Sequence, residues 1–128
     1  MSENRILVVD DEQQIREMYA IAFSRSGYSV KTAEIAEEAL EIMAKTPFQV
    51  LFLDLNLPGM NGIELCRRIR KGWSMTICFA VTGYNSLFEL SDCLDAGFED
   101  YFSKPVSLTE LLTAADHAFK KIERWKKR

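Results

Sequence analysis

Four strand-like apolar runs in this chain each lead into polar residues, and helical patterns separate them. Ile6-Leu7-Val8-Val9 precedes Asp10-Asp11, Val50-Leu51-Phe52-Leu53 precedes Asp54, Ile77-Cys78-Phe79-Ala80-Val81 precedes Thr82, and Tyr101-Phe102 leads to Lys104-Pro105. With a further short strand at 28–33, strand and helix alternate five times. That alternation predicts a parallel sheet covered on both faces, in an α/β fold. Strands are expected at about 5–9, 28–33, 48–53, 76–81 and 100–103. The wholly apolar third run reads as a strand buried on both faces in the middle of the sheet.

The helices follow from 3.6-residue periodicity. The first carries Ile15, Met18, Tyr19, Ala22 and Phe23 and ends at Gly27. The second carries Ala36, Ala39, Leu40 and Met43 and stops near Pro47, and the third carries Ile63, Leu65, Cys66 and Ile69. The fourth is read from Leu87, Leu90 and Leu94 before Gly97, with Phe88 off the stripe. Leu108, Leu111, Leu112, Ala115, Phe119 and Ile122 mark a long last helix. Ser107 and Glu110 have the spacing of a capping box at its start. No linker, repeat or low-complexity segment interrupts the pattern. A single domain is expected over 1–128, with a core at about 5–122 and 123–128 as a basic helix end or the start of a linker.

In a parallel α/β sheet the carboxyl ends of the strands share one edge, where ligands bind. The polar residues closing these runs therefore converge: Asp10, Asp11 and Asp54 as carboxylates, Thr82 as a hydroxyl, Lys104 as an ammonium. Crowded carboxylates raise one another's pKa unless a cation joins them. A hard divalent ion such as Mg²⁺, with Mn²⁺ as a substitute, suits such an oxygen cluster. Lysine and threonine then hold an anion beside the metal, an arrangement suited to a phosphoryl group on Asp54.

Taken together, Asp10-Asp11, the loop Asp54-x-x-Leu57-Pro58-x-Met60-x-Gly62, Thr82-Gly83 and Asp100-Tyr101-Phe102-Ser103-Lys104-Pro105 resemble the receiver domain of two-component response regulators, including its chemotaxis members. The resemblance covers about residues 5–122. It implies a doubly wound, flavodoxin-like (βα)5 fold whose five parallel strands run in the order 2-1-3-4-5. Asp54 is then the phospho-acceptor. Asp11, Asp54 and the backbone carbonyl of Asn56 bind Mg²⁺ directly, and Asp10 binds through water. Thr82 and Lys104 take the phosphoryl oxygens, Thr82 and Tyr101 form the switch, and the bond to Pro105 is cis. Asn56 and Tyr84 stand at variable positions that bear on the lifetime of the phosphorylated form, and Trp73 replaces a frequent proline. The implied partners are a sensor histidine kinase or phosphotransfer protein upstream and an effector protein or attached output domain downstream. The output face is the fourth helix, fifth strand and fifth helix, with dimerisation on phosphorylation a further implication.

Other function classes fit less well. An aspartyl phosphatase of the haloacid dehalogenase type needs an acid two residues after its nucleophile, where this chain has Asn56. A flavodoxin-like flavin carrier needs an uncharged phosphate loop after the first strand, where Asp10-Asp11 would repel the phosphate. A net charge of −3 argues against direct nucleic-acid binding, and the basic run 124–128 reads as a helix end. No run is long enough to insert in a membrane, and the first residues lack a secretory h-region. Cys66, Cys78 and Cys93 have no paired spacing and read as small apolar fillers in a reducing, cytoplasmic setting. His117 reads as an ordinary surface or half-buried residue. The chain is expected to be a signalling switch and not a turnover enzyme, catalysing only its own phosphorylation and slow dephosphorylation.

Overall fold

The computed structural model describes residues 3–83 and 90–127. Along the chain run β1 (Arg5–Val9), α1 (Gln13–Arg25), β2 (Ser29–Ala33), α2 (Ala36–Lys45), β3 (Val50–Asp54), α3 (Gly62–Gly72), β4 (Ile77–Thr82), α4 (Leu90–Ala96), β5 (Asp100–Ser103) and α5 (Leu108–Lys126). The strands form one sheet in the order β2-β1-β3-β4-β5, every pair parallel. The doubly wound order expected from the sequence is therefore the order observed.

Val, Ile, Leu and Phe fill the three inner strands because these strands are covered on both sides, so both alternating faces are apolar. One face meets α1 and α5: Ile6, Val8, Phe52 and Phe79 pack against Tyr19 and Phe23 of α1 and Leu111, Ala115, Phe119 and Ile122 of α5. The other face meets α2, α3 and α4: Leu7, Val9, Leu51 and Leu53 pack against Ala39, Met43, Leu65, Cys66, Ile69 and Cys93. Phe52 is the centre of an aromatic stack, with its ring centroid 5.0 Å from Phe23 on one side and 5.0 Å from Phe79 on the other. The three cysteines are free and buried. Among the described residues, no helix is long and apolar enough to cross a membrane.

Several local expectations shift. β3 ends at Asp54 and β4 at Thr82, each one residue beyond the strand ends expected at 53 and 81. Phe48 is buried but precedes β3, with its N–H on the Met43 sulfur. Met18 is 45 % exposed, so the buried stripe of α1 is narrower, running through Ile15, Tyr19 and Phe23. In α4 the leucines point outward, Leu90 at 51 % and Leu94 at 53 % exposure, while Cys93 and Ala96 face the core. The cause is close approach: the Cys66 thiol of α3 donates to the Ala96 carbonyl at 3.5 Å, and only small side chains fit between the two helices. Leu108, at the first position of α5, is also exposed.

Truncating Phe52 removes the middle ring of the stack and leaves a cavity that the sheet cannot collapse. Phe52→Ala should lower the unfolding free energy by about 3–5 kcal/mol. The midpoint of a urea titration, at unchanged slope, checks this.

Candidate functional site

The carboxyl edge of β1, β3 and β4 and the β5–α5 loop gather the polar residues. The register places Asp54 beside Val81 and Thr82 beside Ser103, so the ends of β3, β4 and β5 lie side by side. Past β5, the Lys104 N–H bonds the Thr82 carbonyl at 2.7 Å, which sends the lysine back across the edge. The Lys104–Pro105 bond is cis. The lysine Nζ lies 2.8 Å from Asp10 Oδ2, 3.5 Å from Asp54 Oδ2 and 3.5 Å from Glu12 Oε1.

Asp10, Asp54 and Thr82 are buried, whereas Asp11, Glu12 and Asn56 are exposed at the rim. Each buried acid is also held by backbone. The Glu12 N–H donates to Asp10 Oδ1 at 2.9 Å, and the Asn56 N–H donates to Asp54 Oδ1 at 3.0 Å. The Asn56 side-chain amide reaches Thr82 Oγ1 at 3.4 Å. Tyr101 is half-buried against the core on the α3–α4 side. Tyr84, like Leu87 and Phe88, lies outside the described residues.

The loop from Asp54 to Gly62 works only because residue 62 is glycine. A Cβ there would run into the Asp54 carbonyl oxygen and come within 2.8 Å of Leu55 Cα. This close approach lets the Gly62 N–H bond the Leu55 carbonyl at 3.1 Å and starts α3 directly against the end of β3. Asn61 caps that helix by accepting the Glu64 N–H at 3.0 Å.

Burial raises the pKa of Asp54, opposed by the Asn56 N–H and by Lys104, and assisted by the charges of Asp10 and Asp11. Burial likewise raises that of Asp10, against its bonds from Lys104 and Glu12. For Lys104, burial works against the charged form, but the bond to Asp10 and the charges of Asp10, Asp54 and Glu12 outweigh it, so its pKa is raised. The edge thus holds more negative charge than its one ammonium balances. Carboxylate oxygens of Asp10, Asp11 and Glu12 all lie within 4.8 Å of one another. An all-oxygen acidic set of this kind fits a hard divalent cation such as Mg²⁺.

Glu12 was not singled out from the sequence. It extends the acidic pair to three in a row and occupies the N-cap of α1, and that contiguity was the available signal.

The sequence profile of the response regulator receiver domain matches residues 6–116. The chain belongs to that family. It is thereby a receiver domain of two-component signalling, a signalling switch by family. It is 40 % identical over 108 residues to the response regulator MprA of Mycobacterium leprae (strain TN), an overlap of 84 % of this chain and 47 % of the relative. It is 39 % identical over 108 residues to the MprA of Mycolicibacterium vanbaalenii, with the same coverage. The chain therefore spans about half the length of these curated relatives. Among solved structures it is similar to a CheY-like receiver domain protein from Methanospirillum hungatei JF-1, with a TM-score of 0.91, 32 % identity, and coverage of 96 % and 98 % of the two chains. It is also similar to NtrX of Brucella abortus, with a TM-score of 0.89 and 27 % identity, over 99 % of this chain and 29 % of NtrX.

The raised pKa of Asp54 in this receiver has a definite consequence for stability. A carboxyl group that binds its proton more tightly when folded opposes folding above its folded pKa, and the penalty fades as pH falls toward the unfolded value near 3.8. Asp54→Asn keeps an oxygen for the Asn56 N–H and removes the charge. In metal-free buffer at pH 7 it should melt above the wild type, and the difference should shrink as pH is lowered toward 4. Thermal unfolding of both proteins across that range checks the sign.

Proposed function

We propose that Asp54 of this receiver accepts a phosphoryl group from a phosphohistidine on a partner kinase or phosphotransfer protein, in a Mg²⁺-dependent reaction. The observation that carries this reading is the Lys104 ammonium shared between two buried carboxylates, Asp10 and Asp54, next to the buried Thr82 hydroxyl.

In the transfer, an Asp54 oxygen forms the new P–O bond as the P–N bond of the donor breaks, and the electron pair leaves with the imidazole nitrogen. A carboxylate is a weak nucleophile, so the barrier falls through position and charge neutralisation. Asp54 is positioned by the Asn56 N–H and by the close seat of Gly62. Lys104 and Thr82 receive the phosphoryl oxygens. Asp11, Asp54 and the Asn56 carbonyl would hold the metal directly, with Asp10 through water and Glu12 at the rim. When bound, Mg²⁺ supplies the positive charge that the crowded oxygens lack. Mn²⁺ suits the same donors.

The phosphorylated state would draw Thr82 toward the phosphoryl group and Tyr101 inward behind it, altering the α4–β5–α5 face for an effector protein, an attached output domain or a second copy. The outward Leu90 and Leu94 of α4 support an output role for that face. Loss of the phosphoryl group would be governed by Asn56 and Tyr84, which would flank the path of the attacking water. Three unpaired, buried thiols agree with a cytoplasmic location.

Incubation with Mg²⁺ and acetyl phosphate should add one phosphoryl group that is stable in acid and labile in base. Asp54→Asn and EDTA should each abolish it. A full-stoichiometry adduct on the asparagine variant, read by intact mass, would overturn the assignment.

Lys104→Ala separates chemistry from switching. Slow labelling should survive while the conformational response is lost, because a ligand shifts an equilibrium only through contacts that differ between the states. Amide spectra with and without beryllofluoride decide it: shifts across α4 and β5 equal to those of the wild type would contradict this role for the lysine.

A further inference from the structure

The Arg16 guanidinium, in the second turn of α1, donates to the backbone carbonyl of Asp10 at 2.8 Å. Asp10 lies one residue past the end of β1, so the sheet ladder supplies no donor to that carbonyl. Its other groups are taken by different partners. The Asp10 N–H bonds the Ala33 carbonyl at 3.1 Å, one carboxylate oxygen accepts the Glu12 N–H, and the other meets Lys104. Among the described residues, Arg16 alone holds the carbonyl.

That carbonyl shares a rigid peptide plane with the N–H of Asp11. Fixing its oxygen therefore fixes the direction in which the chain leaves toward Asp11. Asp11 is exposed and makes no hydrogen bond or ion pair of its own among the described residues. Only the backbone sets where its carboxylate stands. The Arg16 backbone N–H bonds the Glu12 carbonyl at 3.1 Å, so the side chain that holds Asp10 starts from a backbone tied to the other end of the turn.

We propose that Arg16 is a positioning residue that presets the affinity of the acidic edge for a divalent cation, acting through the Asp10–Asp11 peptide. The inference rests on the metal-dependent reading above and extends it to a residue that touches neither metal nor phosphoryl group. Arg16 has two opposed effects on that affinity. Its charge disfavours a nearby cation, whereas its hydrogen bond orders the turn that carries the ligands. The guanidinium is partly exposed and binds the carbonyl side of the turn, where solvent and salt screen its charge. The ordering effect does not screen away, so it dominates. Groups that orient metal ligands from behind typically change affinity by about 10- to 100-fold when they are removed.

The test is a calorimetric Mg²⁺ titration of the whole chain as wild type, Arg16→Gln and Arg16→Lys, with labelling by acetyl phosphate followed against Mg²⁺ concentration. Arg16→Gln should bind Mg²⁺ about tenfold more weakly. Its half-saturating Mg²⁺ for labelling should rise in parallel, and its rate at saturating Mg²⁺ should match the wild type. Arg16→Lys keeps the charge but loses the planar fork, and should lie between the two. Equal or tighter binding by Arg16→Gln would overturn the proposal, as would a rate defect that persists at saturating Mg²⁺. If Arg16→Gln does not fold, Arg16→Lys decides, and wild-type affinity there overturns it. A wild type that binds no Mg²⁺ overturns the proposed function itself, whereas a wild type that binds beside an unchanged Arg16→Gln overturns only the role of Arg16.

Discussion

Everything at the carboxyl edge of this sheet depends on one shared cation. Lys104 is the only ammonium within reach of Asp10, Asp54 and Glu12 among the described residues, and it sits closest to Asp10. Two of those carboxylates are buried, so water does little to relieve them, and both hold their protons more tightly than usual. Removing the cation from such a buried group typically costs about 3–5 kcal/mol, because the carboxylates are left without compensation. The lysine therefore anchors the edge, and on the proposed reading a metal or phosphoryl group would compete for the same contacts. A site in this state has negative charge left to neutralise.

The scaffold keeps that arrangement from relaxing. Asp54 cannot swing away, since it is the last residue of the fully buried β3 and α3 starts against its carbonyl through Gly62. Thr82 is fixed in the same way at the end of β4, with its carbonyl taken by the Lys104 N–H. Strand ends are a good place for such groups, because the ladder behind them is rigid while the side chains face the loops. The β1–α1 turn is the exception. It lies beyond the ladder and is held by a backbone bond to β2, the Asp10 carboxylate's bond to the Glu12 N–H, the Lys104 ammonium on Asp10 and Glu12, and Arg16.

The sheet order and the converging residues were legible because they depend on coarse features. Apolar runs ending in Asp, Thr and Lys mark strand ends, and a parallel sheet brings such ends together whatever the details of packing. The helices were less legible where size, not polarity, decides burial. Leu90 and Leu94 look like the inner stripe of α4, yet the short distance to α3 admits only Cys93 and Ala96. Those two small residues, three apart and just ahead of Gly97, were the clue. Arg16 was invisible for another reason: a charged residue on an amphipathic helix reads as solvent-facing, and nothing in the pattern reveals that its target is a backbone carbonyl. Gly62 stands in the sequence only as the last position of the loop motif, and the pattern does not reveal that its requirement is close approach to Asp54.

The doubly wound topology adds a charge polarity that bears on the order of events. Every helix begins near the carboxyl edge and ends at the opposite one. The first turns carry Glu37, Glu38, Glu64, Asp92 and Glu110, and the last turns carry Arg25, Lys45, Arg70, Lys71, Arg124 and Lys126. Each placement suits its own helix dipole. Together they put the acids on the side of Asp10, Asp11, Glu12 and Asp54 and the cations at the base, so a net charge of −3 understates the negative field at the site. A phosphoryl donor, as proposed, would be an anion and would meet that field first. On the proposed reading, a divalent cation at the edge reverses the local sign before the donor docks, which makes metal binding a precondition of transfer and not merely an aid to it. The brace that Arg16 places on the turn then acts on that first step.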